Sequence, residues 1–315
     1  MNNQNIITRI SNELGNQMFM YASTLGISKK INKSLLLDNE TAYSSKKNIS
    51  RYGLNNFQIT SNIAPDNFKF LGTSGYIKKK LIKKLDNFYI HKNFYIEKKD
   101  KDKITRFDNN IVSTKFANNV YFEGYFETEK YFTDIKDLIL NEFTFIDHKK
   151  YIKSPYISLL NNSNSVSICL RQNRFSEGKN YVDNVINSKK SAIFTKEQII
   201  YINKAIGYFK NKIDKPIFFL WSNDYKSIDL RLFDEEVVMV VHDEKFLSTI
   251  DKRCLDLFLI SNCKNHIVVP SSFNWWGAWL SQKKNKIILR PSDKNFSLFK
   301  VNNKDLWPTD WVEIN

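Results

Sequence analysis

The second half of the chain constrains its fold most tightly. Between residues 165 and 289, short apolar runs alternate with segments of helical period. Residues 165–170 read as a strand, and Ile217-Phe218-Phe219-Leu220-Trp221 is the near-continuous apolar run that a strand covered on both faces requires. Thr195 reads as the cap of a helix running through Ile199, Ile202, Ala205 and Tyr208. Then follow a strand at 237–241, a helix at 251–262, a strand at 267–269, a helix from Asn274 and a strand at 287–289. Strands alternating with helices in this way predict a doubly wound parallel sheet. The N-terminus repeats the theme, with an apolar alternation at 6–10, a helical period from Met18 to Gly26 and a strand at 34–38. The stretch from 41 to 150 is less regular, with helices expected within 76–86 and 127–142. A chain of 315 residues accommodates two domains, here 1–150 and 151–315, with the C-terminal tail packing back on the first.

In open parallel sheets ligands bind beyond the carboxyl ends of the strands. Three strand exits carry unusual chemistry. At Leu14-Gly15-Asn16-Gln17, Gly15 permits close backbone approach and Asn16 and Gln17 offer amides; an ordinary helix cap is the alternative. At Leu170-Arg171-Gln172-Asn173-Arg174, two guanidiniums follow a buried strand, suited to an anion or to pairing with Glu177 or Asp183. At Val269-Pro270-Ser271-Ser272-Phe273-Asn274-Trp275-Trp276-Gly277, Ser271 and Ser272 stand at a helix start, where N–H groups and hydroxyls favour a phosphate. Ser222 and Asp224 follow another strand, and Asp256 lies on the preceding helix, placed to accept from a ribose or a guanine edge. Together these exits suggest a cleft for a nucleoside diphosphate, held without a metal.

Other classes recede. Forty-eight Lys and Arg against 33 Asp and Glu leave a net charge of +15, which permits nucleic acid, an anionic membrane or phosphate-bearing substrates. No helix-turn-helix, zinc or RNP-type signature accompanies it, so nucleic acid is disfavoured. From 77 to 96, lysines interleave with Leu81, Ile82, Leu85, Phe88, Tyr89, Phe94 and Tyr95, a pattern that fits either anionic lipid or a solvated helix face. Asp100-Lys101-Asp102 sits in a lysine run without a preceding strand and reads as loop. There is no Walker loop, no span of 18 apolar residues and no signal-peptide pattern at the first residues. Cys169, Cys254 and Cys263 lack the spacing of a zinc site or a disulfide framework, so the cytoplasm is the expected compartment.

Four stretches, in order along nearly the whole chain, resemble the glycosyltransferase family 11, the α-1,2-fucosyltransferases. They are Leu14-Gly15-Asn16-Gln17-Met18-Phe19, Gly124-Tyr125-Phe126 with Glu129-Lys130-Tyr131-Phe132, the run from Ser271 through Leu280, and Asp305-Leu306-Trp307-Pro308-Thr309-Asp310-Trp311. The resemblance implies a GT-B-like α/β fold of two facing Rossmann-like domains, the first on the acceptor side and the second binding the nucleotide sugar. It implies inverting transfer of L-fucose from GDP-β-L-fucose to the 2-hydroxyl of a galactose-type acceptor, with no metal or other cofactor.

The family's His-x-Arg-Arg-x-Asp motif falls on Cys169-Leu170-Arg171-Gln172-Asn173-Arg174, where only the first arginine is retained. By resemblance, Arg171 neutralises the departing diphosphate. Cys169, Gln172 and Arg174 replace the His, the second Arg and the Asp, and Asn12-Glu13 replaces the usual Gly-Gly. Glu177 or Asp183 becomes the candidate base, although each is equally suited to pairing with Arg174 or Lys179. Gly15, Asn16, Gln17, Ser222, Asp224, Asp256, Ser271, Ser272 and Phe273 are the candidate donor-binding residues. The expected partners are a GDP-sugar, an oligosaccharide or lipid-linked glycan acceptor, and an anionic membrane surface on which the protein rests peripherally. A related GDP-deoxysugar donor, or a nucleotide- or glycan-binding protein without efficient turnover, are the competing readings.

Overall fold

The computed structural model describes residues 4–43, 51–100, 104–176, 184–298, 300 and 302–315. The chain divides into two compact units, Met1–Ile146 with Lys304–Leu306, and Asp147–Asn303 with Trp307–Asn315.

The first unit contains β1 (Asn5–Arg9), α1 (Leu14–Lys30), β2 (Ser34–Asp38), β3 (Asn62–Ile63), α2 (Gly72–Leu85), β4 (Lys92–Ile96), β5 (Phe116–Glu123) and α3 (Lys136–Glu142). Its strands form a parallel sheet of order β3-β2-β1-β5-β4. Successive buried residues Ile6 and Ile7 place β1 at the centre, covered on both faces. Helix α1 is apolar nearly all round because it is enclosed nearly all round: Met18, Phe19, Met20, Tyr21 and Ala22 are all buried. Gly26 is required where α1 meets the loop after β5, since a Cβ there would lie 2.1 Å from the Tyr131 carbonyl oxygen. The helix expected across 127–142 is only its last part. Two 3-10 turns, Glu129–Tyr131 and Thr133–Ile135, precede α3, and the Thr128 hydroxyl accepts from Lys130 N to open the first. Buried Asp305 accepts from Lys130 Nζ at 2.6 Å and Phe107 N at 3.3 Å, which anchors the returning segment Lys304–Leu306 to this unit.

The second unit contains α4 (His148–Tyr151), α5 (Tyr156–Asn162), β6 (Asn164–Leu170), α6 (Asn184–Lys212), β7 (Pro216–Ser222), β8 (Val237–Met239), α7 (Glu244–Leu247), α8 (Lys252–Asn262), β9 (Asn265–Ile267), α9 (Ser272–Leu280), β10 (Ile288–Pro291) and β11 (Val312–Ile314). The parallel sheet runs β11-β10-β9-β6-β7-β8. Numbered from β6 outward this is the 3-2-1-4-5-6 order of a dinucleotide-binding fold, reversing direction between β6 and β9. Thr195 does not start its helix: α6 begins at Asn184, with no proline to interrupt it and with Ser191 and Phe194 already packed inside. Five tryptophans, Trp275, Trp276, Trp279, Trp307 and Trp311, form one buried ring cluster with neighbouring centroids 4.9–6.0 Å apart. The expectation of two α/β units with parallel sheets is met.

Candidate active site

The order reverses between β6 and β9, where open parallel sheets form a crevice at the strand ends, and the two noted exits of this unit, at Arg171 and at Ser271, follow these two strands. Beyond Leu170 the main chain is held on both sides by amide side chains. Gln198, fully buried on α6, accepts from Arg171 N at 3.1 Å and donates to Arg171 O at 2.7 Å. Asn223, just past β7, accepts from Gln172 N at 2.8 Å and donates to Gln172 O at 3.1 Å. These reciprocal pairs reproduce sheet hydrogen bonding after the strands have ended, so the Arg171 backbone is rigidly placed. The Gln172 side chain continues the fastening. It donates to Ser222 Oγ at 3.3 Å and to Asp224 O, and accepts from Ser227 Oγ at 2.9 Å.

Arg174 is committed to the protein. Its guanidinium lies over the Phe194 ring at 5.3 Å and donates to the Pro270 carbonyl at 3.0 Å, tying the exit of β6 to the loop before α9. Of the two guanidiniums read as an anion site, that of Arg174 is thus taken up by Phe194 and Pro270. Across the crevice, α9 starts after Ser271, whose extended backbone caps it without a side-chain hydrogen bond, and its first turn holds no acidic residue. Asn274 folds the preceding loop into a hook by accepting from Val269 N at 2.7 Å; its Nδ2 is buried and finds no hydrogen-bond partner among the described residues. A helix start of this composition favours an anion. Ser272 and Phe273 stand half-exposed in this turn.

The remaining candidates are placed differently. Asp224 is turned into its own loop, where hydrogen bonds led by Ser227 Oγ hold its carboxyl below the usual range. Asp256 is bound to His242 Nε2 at 2.6 Å and to Lys252, so its carboxylate is already engaged. Cys169 is buried, and desolvation pushes its thiol up into the neutral form. Glu177 and Asp183 lie outside the described residues. Asp100 serves its own loop, accepting from Ile104 N and pairing with Arg106 at 2.9 Å. Among the described residues no group of three His, Cys, Asp or Glu side chains is placed to hold a metal ion.

The first unit has its own crevice at the β1/β5 reversal. A cavity of about 300 Å³ there is lined by Arg9, Asn12, Tyr43, Arg51, Gly124 and Tyr125 among others. Gly15 and Asn16 sit in the first turn of α1 beside it. Gln17 corrects an expectation: its fully buried amide has no capacity left for a ligand. Its two Nε2 hydrogens are shared among Asn12 O, Arg51 O and Tyr43 Oη at 2.7–3.1 Å, and its Oε1 accepts from Gly53 N at 2.9 Å. The Gly-Tyr-Phe motif also gains a reason. Glu97, just past β4, accepts from Tyr125 N at 2.7 Å and Phe126 N at 3.0 Å, while Phe126 adopts a φ of 53°. A Cβ on Gly124 would lie 2.4 Å from that of Glu97. Tyr125 Oη in turn accepts from Asn12 Nδ2 at 2.9 Å.

Burial pushes the Glu97 carboxyl up to about 7, with the Glu127 charge adding and the two N–H groups opposing. A raised carboxyl binds its proton more tightly in the folded state, so it stabilises the fold below about pH 4.5 and that contribution is lost as pH rises through 7. Wild-type stability should fall by about 1–3 kcal/mol across this window relative to Glu97→Gln. Urea midpoints taken from pH 4.5 to 8 check it; parallel curves for the two proteins would contradict the assignment.

Sequence reading missed Gln198, Asn223, Gln172, Glu97 and His242. Gln198 had a signal, since it falls on the apolar stripe completed by Ile202, Ala205 and Phe209. A glutamine on a buried stripe needs main-chain partners.

The profile of Glycosyl transferase family 11 matches residues 2–315. The chain is 28% identical over 318 residues to an alpha-1,2-colitosyltransferase of Escherichia coli, covering 98% of each protein. It is 27% identical over 334 residues to the O-antigen biosynthesis glycosyltransferase WbnK of Escherichia coli, covering 97% of this chain and 99% of that one. Among solved structures, a variant of Arabidopsis thaliana FUT1 in complex with GDP superposes with a TM-score of 0.51 at 12% identity, over 97% of this chain and 75% of that one, which supports the shared fold. The four motifs, the sheet orders and the match across residues 2–315 agree: the chain belongs to glycosyltransferase family 11.

Proposed function

We propose that the chain moves an L-fucose-type deoxyhexose from its GDP carrier to the 2-hydroxyl of a galactose-type residue in a surface glycan, with inversion and without a metal. The observation that carries this reading is Arg171, fixed through its main chain just past β6 at the reversal of a 3-2-1-4-5-6 sheet, with α9 following the adjacent strand β9. As the bond from the sugar's anomeric carbon to the diphosphate breaks, negative charge grows on the departing oxygen. A guanidinium and helix N–H groups held in advance stabilise it. The acceptor oxygen attacks the opposite face, and its proton passes to Glu177 or Asp183 or to solvent.

Two donors compete. The fucosyl reading follows the motifs, whereas the relative named as a colitosyltransferase favours colitose, the 3-deoxy analogue of fucose. The second relative, named for O-antigen biosynthesis, supports a glycan acceptor, which we take to be an oligosaccharide or lipid-linked glycan presented at an anionic membrane surface. Among the described residues no helix is long and apolar enough to cross a membrane.

The test is incubation with GDP-fucose or GDP-colitose and a β-galactoside panel, with and without EDTA, following GDP release and the anomeric configuration of product. An α-linked product formed with EDTA present is expected. Tight GDP binding without product from either donor would replace the transferase reading with that of a nucleotide-binding protein. Product lost on chelation would end the metal-free mechanism.

A further inference from the structure

Helix α2 has two faces with opposite duties. Gly75, Lys79, Ile82 and Lys83 face inward at i, i+4, i+7 and i+8. A Cβ on Gly75 would lie 2.4 Å from the Phe70 carbonyl carbon, so the helix is seated closely. Lys79 and Lys83 both pair with Glu123 at the end of β5, where Arg9 also approaches at 3.4 Å. Glu123 immediately precedes Gly124, and Arg9 lines the cavity of the first unit. The inner face of α2 therefore braces that cavity.

The outer face carries Tyr76, Ile77, Lys80, Leu81, Lys84 and Leu85, all exposed, and it continues into Phe88, Tyr89 and Ile90. Phe88 is 82% and Ile90 76% exposed, unusual for side chains of this size. Their exposure is built into the turn. Buried Asp86 accepts from Asn93 N at 2.7 Å and Phe94 N at 3.2 Å, and Lys92 Nζ donates to the carbonyls of Asp86 and Tyr89. Around the apolar residues stand Lys78, Lys80 and Lys84, which make no ion pair among the described residues. The stretch from 72 to 99 holds eight lysines and two carboxylates, Asp86 and Glu97, both bonded to backbone N–H groups, and only Lys79 and Lys83 of the eight pair with Glu123.

We propose that the outer face of α2 and the 86–91 turn dock on an anionic phospholipid surface, the aliphatic and aromatic residues entering the headgroup boundary and the lysines contacting phosphates. Charge complementarity selects anionic lipid. The aliphatic members, Ile77, Leu81, Leu85 and Ile90, select lipid over an acidic glycan, because they present neither sugar-stacking planes nor hydrogen bonds. The function of this docking, presenting a lipid-linked acceptor to the braced cavity, rests on the acceptor reading given above; the docking itself does not.

The experiment is co-sedimentation of the whole protein with vesicles of phosphatidylcholine, alone or with one third phosphatidylglycerol, at low and high salt. Binding is expected to the anionic vesicles only, and to weaken with salt. Replacing Lys78, Lys80 and Lys84 together by Gln should weaken it about a hundredfold, and Phe88→Ser with Ile90→Ser at least about tenfold. A polarity-sensitive dye on Ile90→Cys should shift blue on anionic vesicles, a readout independent of losing binding. Equal binding to both vesicle types, an unshifted dye, an unaffected lysine variant, or retention on an acidic polysaccharide but not on vesicles would each overturn the proposal. Turnover on a water-soluble acceptor separates the two claims. It should be unchanged in these surface variants, and its failure in the wild type would count against the transferase reading while leaving vesicle binding to decide the docking.

Discussion

Arg171→Ala should lower kcat by about 10²–10⁴-fold while KM for the donor changes by less than about tenfold. The asymmetry follows from where the guanidinium acts. Charge on the diphosphate is partly shared in the ground state and grows as the sugar departs, so the interaction is strongest at the transition state. Arg171→Lys should recover only a small part, since an ammonium cannot make the two parallel contacts of a guanidinium fork. The fold should be unaffected, because Gln198 holds residue 171 through its N–H and carbonyl, which every substitution except proline retains. Steady-state kinetics with calorimetric GDP titration decides it. A variant within threefold of wild type would remove the central support of the proposed mechanism.

Gln17→Leu should be the most damaging change away from the chemistry, and the loss should be one of stability. Leucine fills the space but strands the buried Gly53 N–H and removes the amide donor from the part-buried Arg51 carbonyl. Asn12 O keeps a donor in Tyr43 Oη at 3.0 Å. The orphaned N–H and the lost bond to the carbonyl cost together about 2–4 kcal/mol, a fall in Tm of roughly 5–10 °C. Thermal unfolding measures it. An unchanged Tm with a raised donor KM would show instead that Gln17 faces substrate.

The contrast between these two residues shows what sequence can reveal here. Arg171 stands out in the sequence because a guanidinium just beyond a strand buried on both faces suits an anion, the same reasoning that picked Arg174, which serves Phe194 and Pro270 instead. Ser271 and Ser272 mark the start of α9 for a similar reason, as small hydroxylic residues before a strongly apolar helix. An amide carries no such mark. Gln17 and Gln198 resemble ligand-binding residues equally, and only the folded positions of Gly53 and of the Arg171 main chain show what they hold. The fold divides along the same line. Strands β6 and β7 announce themselves through apolar runs, whereas β3 is two exposed residues at a sheet edge and leaves no apolar signature. Thr195 misled because a good capping residue is also tolerated inside a helix when packing on both sides carries it.

The paired amides that extend the β6 edge bear on how this site can vary. Gln198 and Asn223 grip only atoms that every residue type possesses. The main chain at 171 and 172 is therefore gripped whichever side chain residue 171 displays, while the side chains of Gln172 and Arg174 add fastenings of their own. Such a scaffold can trial new donor and acceptor preferences one position at a time, without first having to rebuild its framework.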